Sequence, residues 1–97
     1  MPAVTRILKA LSNPNRRRIY QIVCRKGAGR TRGLTIDEIR RRSGLKQAAV
    51  SLHVKRLAAA GLVLRRKTGW YVHCAPAPGG LAALLRFARD PAGFPPT

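Results

Sequence analysis

Acidic residues are nearly absent from this chain. Of its 97 residues only Asp37, Glu38 and Asp90 carry a side-chain carboxylate, against 20 Lys plus Arg, and the formal net charge is +17. Three acids leave little material for general acid–base chemistry, so no enzymatic activity is expected. Aromatics are scarce too. Tyr20, Trp70, Tyr71, Phe87 and Phe94 complete the set, and none falls on a basic amphipathic helix of the kind that lies on a membrane surface. No apolar run approaches the ~18 residues of a membrane-spanning helix. The segment from Met1 to Lys9 breaks its apolar residues with charge, unlike a secretory signal, so a cytoplasmic address is expected.

What the chain has in excess is arginine. Fifteen Arg and five Lys make up the cations, and 18 of these 20 lie between Arg6 and Lys67. Self-repulsion on this scale opposes folding, which points to a polyanionic partner. Nucleic acid phosphates fit, because each neutralised phosphate releases counterions. With 45% hydrophobic residues the composition is nonetheless globular, and the length allows one domain with one modest core.

Periodicity supplies the elements. Val4, Ile7, Leu8 and Leu11 recur at i, i+3, i+4 and i+7 and predict a helix over about 3–11. Asn13-Pro14 reads as an N-cap followed by proline at the first helical position, opening a second helix to about Arg25 with Ile19, Ile22 and Val23 inward. Gly27 to Gly33 reads as a basic loop, suited either to flanking phosphates or to no more than a solvated turn. Thr35-Ile36-Asp37-Glu38 is a capping box, and its helix should stop at Ser43-Gly44. A further helix from about Gln47 to Ala60 turns Val50, Val54 and Leu57 inward. Two helices flanking a short glycine-containing turn, over about 36–60, form a helix-turn-helix. Leu62-Val63-Leu64, a turn at Thr68-Gly69 and Trp70 to Cys74 then predict a hairpin over about 62–75, with Arg65, Arg66 and Lys67 making its tip basic. Leu81, Leu84, Leu85 and Ala88 predict a last helix over about 80–90, stopped by Asp90-Pro91 and followed by a flexible tail over 92–97. The expected architecture is mainly α with a small β-hairpin: a winged helix-turn-helix domain over 1–91 with an extra helix at each end.

Three stretches resemble one family. Leu11-Ser12-Asn13-Pro14-Asn15-Arg16 followed by Arg18-Ile19 is similar to the opening of the ArsR/SmtB bacterial repressors. Leu45 to Leu57 resembles that family's recognition helix, and Ala60-Gly61-Leu62-Val63 with Arg65-Arg66 and Gly69-Trp70 resembles its entry into the wing. The resemblance covers roughly residues 5–90. It implies a homodimer built from the first and last helices that binds a palindromic operator in double-stranded DNA and represses transcription. It also implies that Gln47, Ser51 and His53 lie on the exposed face of the recognition helix, with Lys55 nearer the phosphates. Helical spacing independently groups Gln47, Ser51 and Lys55 at i, i+4 and i+8, away from Val50, Val54 and Leu57. Gln can pair bidentately with adenine and Ser can meet several base edges. Lys46 stands where the family usually caps the helix with Ser, so a cap is lost and a cation gained; Ala48 lies beside it in the first turn. Arg16 and Arg42 are candidate phosphate contacts, as are Arg65, Arg66, Lys67, Thr68 and Gly69 of the wing. Across the two-fold axis Val4, Ile7, Leu8 and Leu11 are expected to meet Leu81, Leu84 and Leu85.

The family's sensory residues are missing. Its cysteine pair before the recognition helix maps to Thr35 and Asp37, and the last helix, Leu81 to Arg89, has no His, Cys, Asp or Glu. Cys24, His53, His73 and Cys74 are the remaining soft ligands, and adjacent His73 and Cys74 point to opposite faces of a strand. No metal and no cofactor are expected; whether a protein or small-molecule effector exists stays open. Two alternatives to a sequence-specific repressor stand: a non-specific nucleic-acid binder of the chromosome-organising or RNA-binding kind, and a thiol-responsive repressor sensing oxidants or persulfides through Cys24 and Cys74.

Overall fold

A computed structural model of the chain describes residues 3–27, 29 and 32–93. Five helices and a three-stranded antiparallel sheet are ordered α1 (Ala3–Ser12), α2 (Pro14–Ile22), β1 (Leu34–Thr35), α3 (Ile36–Ser43), α4 (Gln47–Ala59), β2 (Val63–Thr68), β3 (Tyr71–Pro76) and α5 (Pro78–Arg89). The caps read from the sequence are made. Asn13 Oδ1 accepts from the Arg16 amide at 3.0 Å with Pro14 at the first turn. Thr35 Oγ1 accepts from the Glu38 amide at 3.1 Å, and Glu38 Oε1 accepts from the Thr35 amide at 3.2 Å. Gly44, at φ +74°, ends α3 in the left-handed conformation. Lys46 caps α4 without any side-chain hydrogen bond, as its chemistry dictates.

The core is one cluster. Ile19 and Val23, Leu34, Ile39, Val50, Val54 and Leu57, Leu62 and Cys74 are all completely buried within it. Every helix of the helix-turn-helix gives it the apolar stripe that its spacing predicts, which is what locks α3 and α4 together.

Several expectations change. The hairpin is not alone: Leu34 and Thr35 add a third strand, pairing with Cys74 and His73, so the sheet order is β1-β3-β2. The hairpin turn sits one residue later than expected, since Thr68 pairs with Tyr71 and leaves Gly69-Trp70 as a two-residue loop. Gly69 at φ +59° starts that loop, as a tight hairpin turn needs. α2 passes into a π-helical turn over Val23–Gly27 instead of ending in a regular helix. Of the basic loop expected over 27–33, residues 28, 30 and 31 lie outside the described residues. So do residues 94–97 of the expected tail, whereas Pro91–Gly93 form a 3-10 turn. No helix among the described residues is long and apolar enough to cross a membrane.

The outer helices also differ from expectation. α1 packs on α5 within the same chain, as well as on α2 and α4, and Val4 and Ile7 are buried. Covered by their own chain, these two leave almost no surface to offer a partner, contrary to the expectation. Leu11 and Leu84 are half-buried against the core, while Leu8, Leu81 and Leu85 stay about half exposed, at 50%, 47% and 49%.

Gly33 ties the sheet together. Its φ is +79°, and a side chain there would collide with the Cys74 carbonyl of β3. Gly33→Ala is expected to lower stability by at least about 2 kcal/mol, combining left-handed strain with the clash. Gly44→Ala, equally left-handed but in open space, should cost only about 1 kcal/mol. Urea unfolding midpoints of the two variants check the difference.

Candidate nucleic-acid interface

The rotation of α4 is set from beneath. Val50, Val54 and Leu57 are fully buried, and at about 100° per residue the opposite side carries Ala48, Leu52, Lys55 and Ala59, all exposed. Gln47 and Ser51 occupy a flank of the helix, not its crest. Gln47 is exposed and Ser51 half-buried, and both line an open hollow of about 250 Å³ shared with Thr35, Asp37, Trp70 and Tyr71. His53 lies on the other flank. Its Nδ1 accepts a long hydrogen bond, 3.4 Å, from Arg16 Nε of α2. The single exposed face expected for Gln47, Ser51 and His53 is therefore split: two side chains turn toward the wing tip and the third is held by α2. Leu52, 48% exposed at the middle of the crest, is a candidate contact that sequence reasoning missed. The opposite ray from Val50, Val54 and Leu57 was the available signal for it, and an apolar side chain there suits a thymine methyl.

Charge is distributed unequally. Asp37 pairs with Arg40 at 2.8 Å and with Arg41 at 3.1 Å; the Arg40 hydrogen bond, ahead of the Coulombic pull of both guanidiniums, holds its carboxyl below the usual range. Glu38 closes the capping box, and Asp90 Oδ1 accepts from the Gly93 amide at 3.2 Å. No acid occurs anywhere from residue 39 to residue 89, so α4 and the hairpin carry only positive charge. Arg65, Arg66, Lys67, Thr68 and Gly69 are all exposed. Arg42 of α3 shares a second hollow, about 360 Å³, with Arg25, Lys26 and Ile22. The π-helical turn thus delivers two further cations beside the helix-turn-helix. On the outer face of the sheet Arg32, Arg66, Thr68 and His73 surround a hollow of about 320 Å³, and His73 Nδ1 is buried with no hydrogen-bond partner among the described residues.

The two thiols do not form a sensor pair of exposed nucleophiles. Cys74 is fully buried at the centre of the sheet, and burial pushes its thiol up to about 11, against the opposing pull of Arg65. A thiol that stays protonated at neutral pH is a poor nucleophile. Cys24 is half-buried beside Tyr20, whose phenol is pushed up to about 12 by burial first and then by its hydrogen bond to Cys24. Among the described residues no three His, Cys, Asp or Glu side chains gather in a ligand cluster.

His53 titrates against its surroundings. Desolvation first, then the nearby guanidiniums of Arg16 and Arg56, hold it below the ordinary histidine value, so the folded chain resists a proton that the unfolded chain accepts. Stability is unaffected above about pH 6.5, the ordinary value. It falls as pH drops below that, until the folded-state value is passed. Thermal unfolding from pH 8 to pH 5 should show this decline, and His53→Gln, which can still accept from Arg16, should flatten it.

The helix-turn-helix domain family matches residues 11–66 of the chain. No curated protein sequence matches it. Among solved structures, the chain is similar to a possible transcriptional regulator for arsenical resistance, at 29% identity and a TM-score of 0.69 over 87% of this chain and 81% of that one. It is similar to reduced HlyU from Vibrio cholerae N16961, at 26% identity and a TM-score of 0.67 over 90% and 86%. The homodimeric winged helix-turn-helix DNA-binding domain of a possible ArsR-family regulator from Mycobacterium bovis shares the fold at 23% identity, with a TM-score of 0.68 over 95% and 82%. With a capped helix-turn-helix, a basic wing beside it and that match over more than half its length, the chain belongs to the helix-turn-helix domain family, and its winged fold is similar to that of solved ArsR-family regulators.

Proposed function

We propose that the protein is a homodimeric repressor that binds a palindromic operator in double-stranded DNA. Helix α4 enters the major groove, and the wing meets the flanking phosphates or the minor groove. The observation that carries this reading is that α4 and the hairpin hold no carboxylate of their own, while uncharged Gln47 and Ser51 line an open hollow whose one acid, Asp37, is already paired with Arg40 and Arg41. Phosphate contacts position such a protein, and a few base-edge contacts specify its site. Leu52, Lys55 and Ala48 complete the groove-facing side of α4, and Arg42, Arg25 and Lys26 extend the phosphate contacts.

The homodimer is supported by the exposed leucines on the packed pair α1 and α5 and by the homodimeric state of the similar Mycobacterium bovis domain. Leu8, Leu81 and Leu85 take the interface in place of the buried Val4 and Ile7. Two half-sites would then be spaced about one helical turn, roughly 10–10.5 base pairs, or a multiple of it. A non-specific nucleic-acid binder remains the second reading, favoured by a net charge of +17, more than operator recognition requires. Burial of Cys74 weighs against a thiol-responsive repressor.

Duplexes selected from genomic fragments separate the two readings. A specific regulator should prefer the selected duplex over a scrambled one at every salt concentration. Gln47→Ala should cost about 1–3 kcal/mol of that preference. Equal affinity for both duplexes, falling in parallel as salt rises, would establish the non-specific reading. For the dimer, replacing both Leu8 and Leu85 by Glu should give monomers in sedimentation and lower operator affinity by about 10²-fold or more, because the linked second site is lost. An unchanged sedimentation coefficient would defeat the interface.

A further inference from the structure

Trp70 has no role in the fold. It is 98% exposed, where the other exposed large apolar residues are covered to about half or, in the case of Tyr71 at 62%, by more than a third. The exposure is built in by the turn. Thr68 and Tyr71 close the ladder, Gly69 takes the positive φ, and Trp70 is left as the second residue of the two-residue loop at the apex. Behind it, Arg65, Arg66 and Lys67 line β2 with no acid on the hairpin.

We propose that Trp70 is an aromatic wedge that enters the minor groove of duplex DNA beside each half-site and packs its indole against or between base steps. The proposal rests on the reading of α4 as the major-groove helix and names the wing residue that contacts bases. Three observations lead to it. Trp70 and Tyr71 border the same hollow as Gln47 and Ser51, so the tip and the base-reading flank of α4 open in one direction. Each six-residue strand of the hairpin reaches roughly 20 Å at ~3.3 Å per residue. The minor groove next to an occupied major groove lies roughly half of the ~34 Å helical turn away. The cations along β2 would hold the phosphates on either side while the uncharged ring passes between them.

The chemistry of the ring adds a base preference. Indole offers one donor, its Nε1–H, and no acceptor. In the minor groove A·T pairs present only acceptors, whereas G·C adds the guanine amino donor. Pyrimidine–purine steps such as TA also open most readily to a wedge. Trp70 therefore selects A·T-rich, flexible steps at the wing positions. An anionic bilayer would also receive a tryptophan among cations, but it offers no base edges to the Gln47 and Ser51 side chains that share the opening.

Trp70 is the only tryptophan in the chain, so its emission reports the tip alone. On saturation with a selected duplex, tryptophan-selective emission should shift to the blue and become protected from acrylamide. Trp70→Ala should lower duplex affinity about tenfold while leaving the slope of log affinity against log salt unchanged, because no charge is removed. Lys67→Ala should instead reduce that slope by about 0.9. Trp70→Phe should recover most of the affinity, which separates ring packing from the indole donor. Exchanging A·T for G·C at the wing-facing steps should weaken the wild type but not Trp70→Ala. Duplex binding, followed by anisotropy of labelled DNA, with unmoved tryptophan emission and an undiminished Trp70→Ala affinity would overturn the wedge and leave the duplex reading standing. Emission that responds to anionic phospholipid vesicles and not to duplex would overturn it in favour of a lipid surface. Failure to bind any duplex would sink both readings.

Discussion

The burial of Val50, Val54 and Leu57 sets which way α4 faces, and most of what the protein presents to its surroundings follows from that rotation. All three are completely covered by the cluster that includes Ile19, Ile39 and Leu62. A helix pinned along one line has no freedom left about its axis, so the crest of Ala48, Leu52, Lys55 and Ala59 is determined by residues that never meet solvent. The same pinning sends Gln47 and Ser51 toward the wing and His53 toward Arg16. A change of one methylene among those three core residues would be felt at the crest, because tightly packed interiors transmit small volume changes.

Charge and core pull in opposite directions. The core must hold together a chain whose 20 cations face 3 carboxylates, and two of those carboxylates are spent at one helix terminus. Asp37 and Glu38 at the start of α3 sit where the helix dipole and the capping box both favour negative charge. That placement leaves α4 and the hairpin without counter-charge of their own. Structural economy and polyanion binding thus meet in one arrangement: the few acids stabilise α3, and the surface beyond it stays uncompensated.

The wing is more than an appendage. β1, only two residues long, pairs with β3 and runs directly into the N-cap of α3 at Thr35. Thr35 serves the sheet by its backbone and the helix by its hydroxyl. The hairpin is therefore tied into the helix-turn-helix at the residue where α3 begins. Gly33, pressed against the Cys74 carbonyl, permits that close approach. This coupling lets the tip, with Trp70, hold a set position relative to Gln47 and Ser51.

Much of this was legible along the chain. Asn13-Pro14, Thr35-Glu38 and Ser43-Gly44 are short-range signals, each satisfied within three or four residues, and each appears in the fold as read. The helical stripes of α1, α3 and α4 and the existence of the hairpin were legible for the same reason. What escaped depended on partners distant in sequence. β1 is too short to show any alternation and exists because β3 lies beside it. The hairpin loop moved from Thr68-Gly69 to Gly69-Trp70 because cross-strand pairing, not turn propensity, sets the register. Val4 and Ile7 were expected at a second subunit but are buried in their own chain, where α1 packs on α2, α4 and α5. His53, expected on one exposed face with Gln47 and Ser51, lies on the other flank of α4 beside Arg16 of α2. Local chemistry settles where helices start and stop; which of their side chains remain available to a partner is settled by what packs on them from far along the chain.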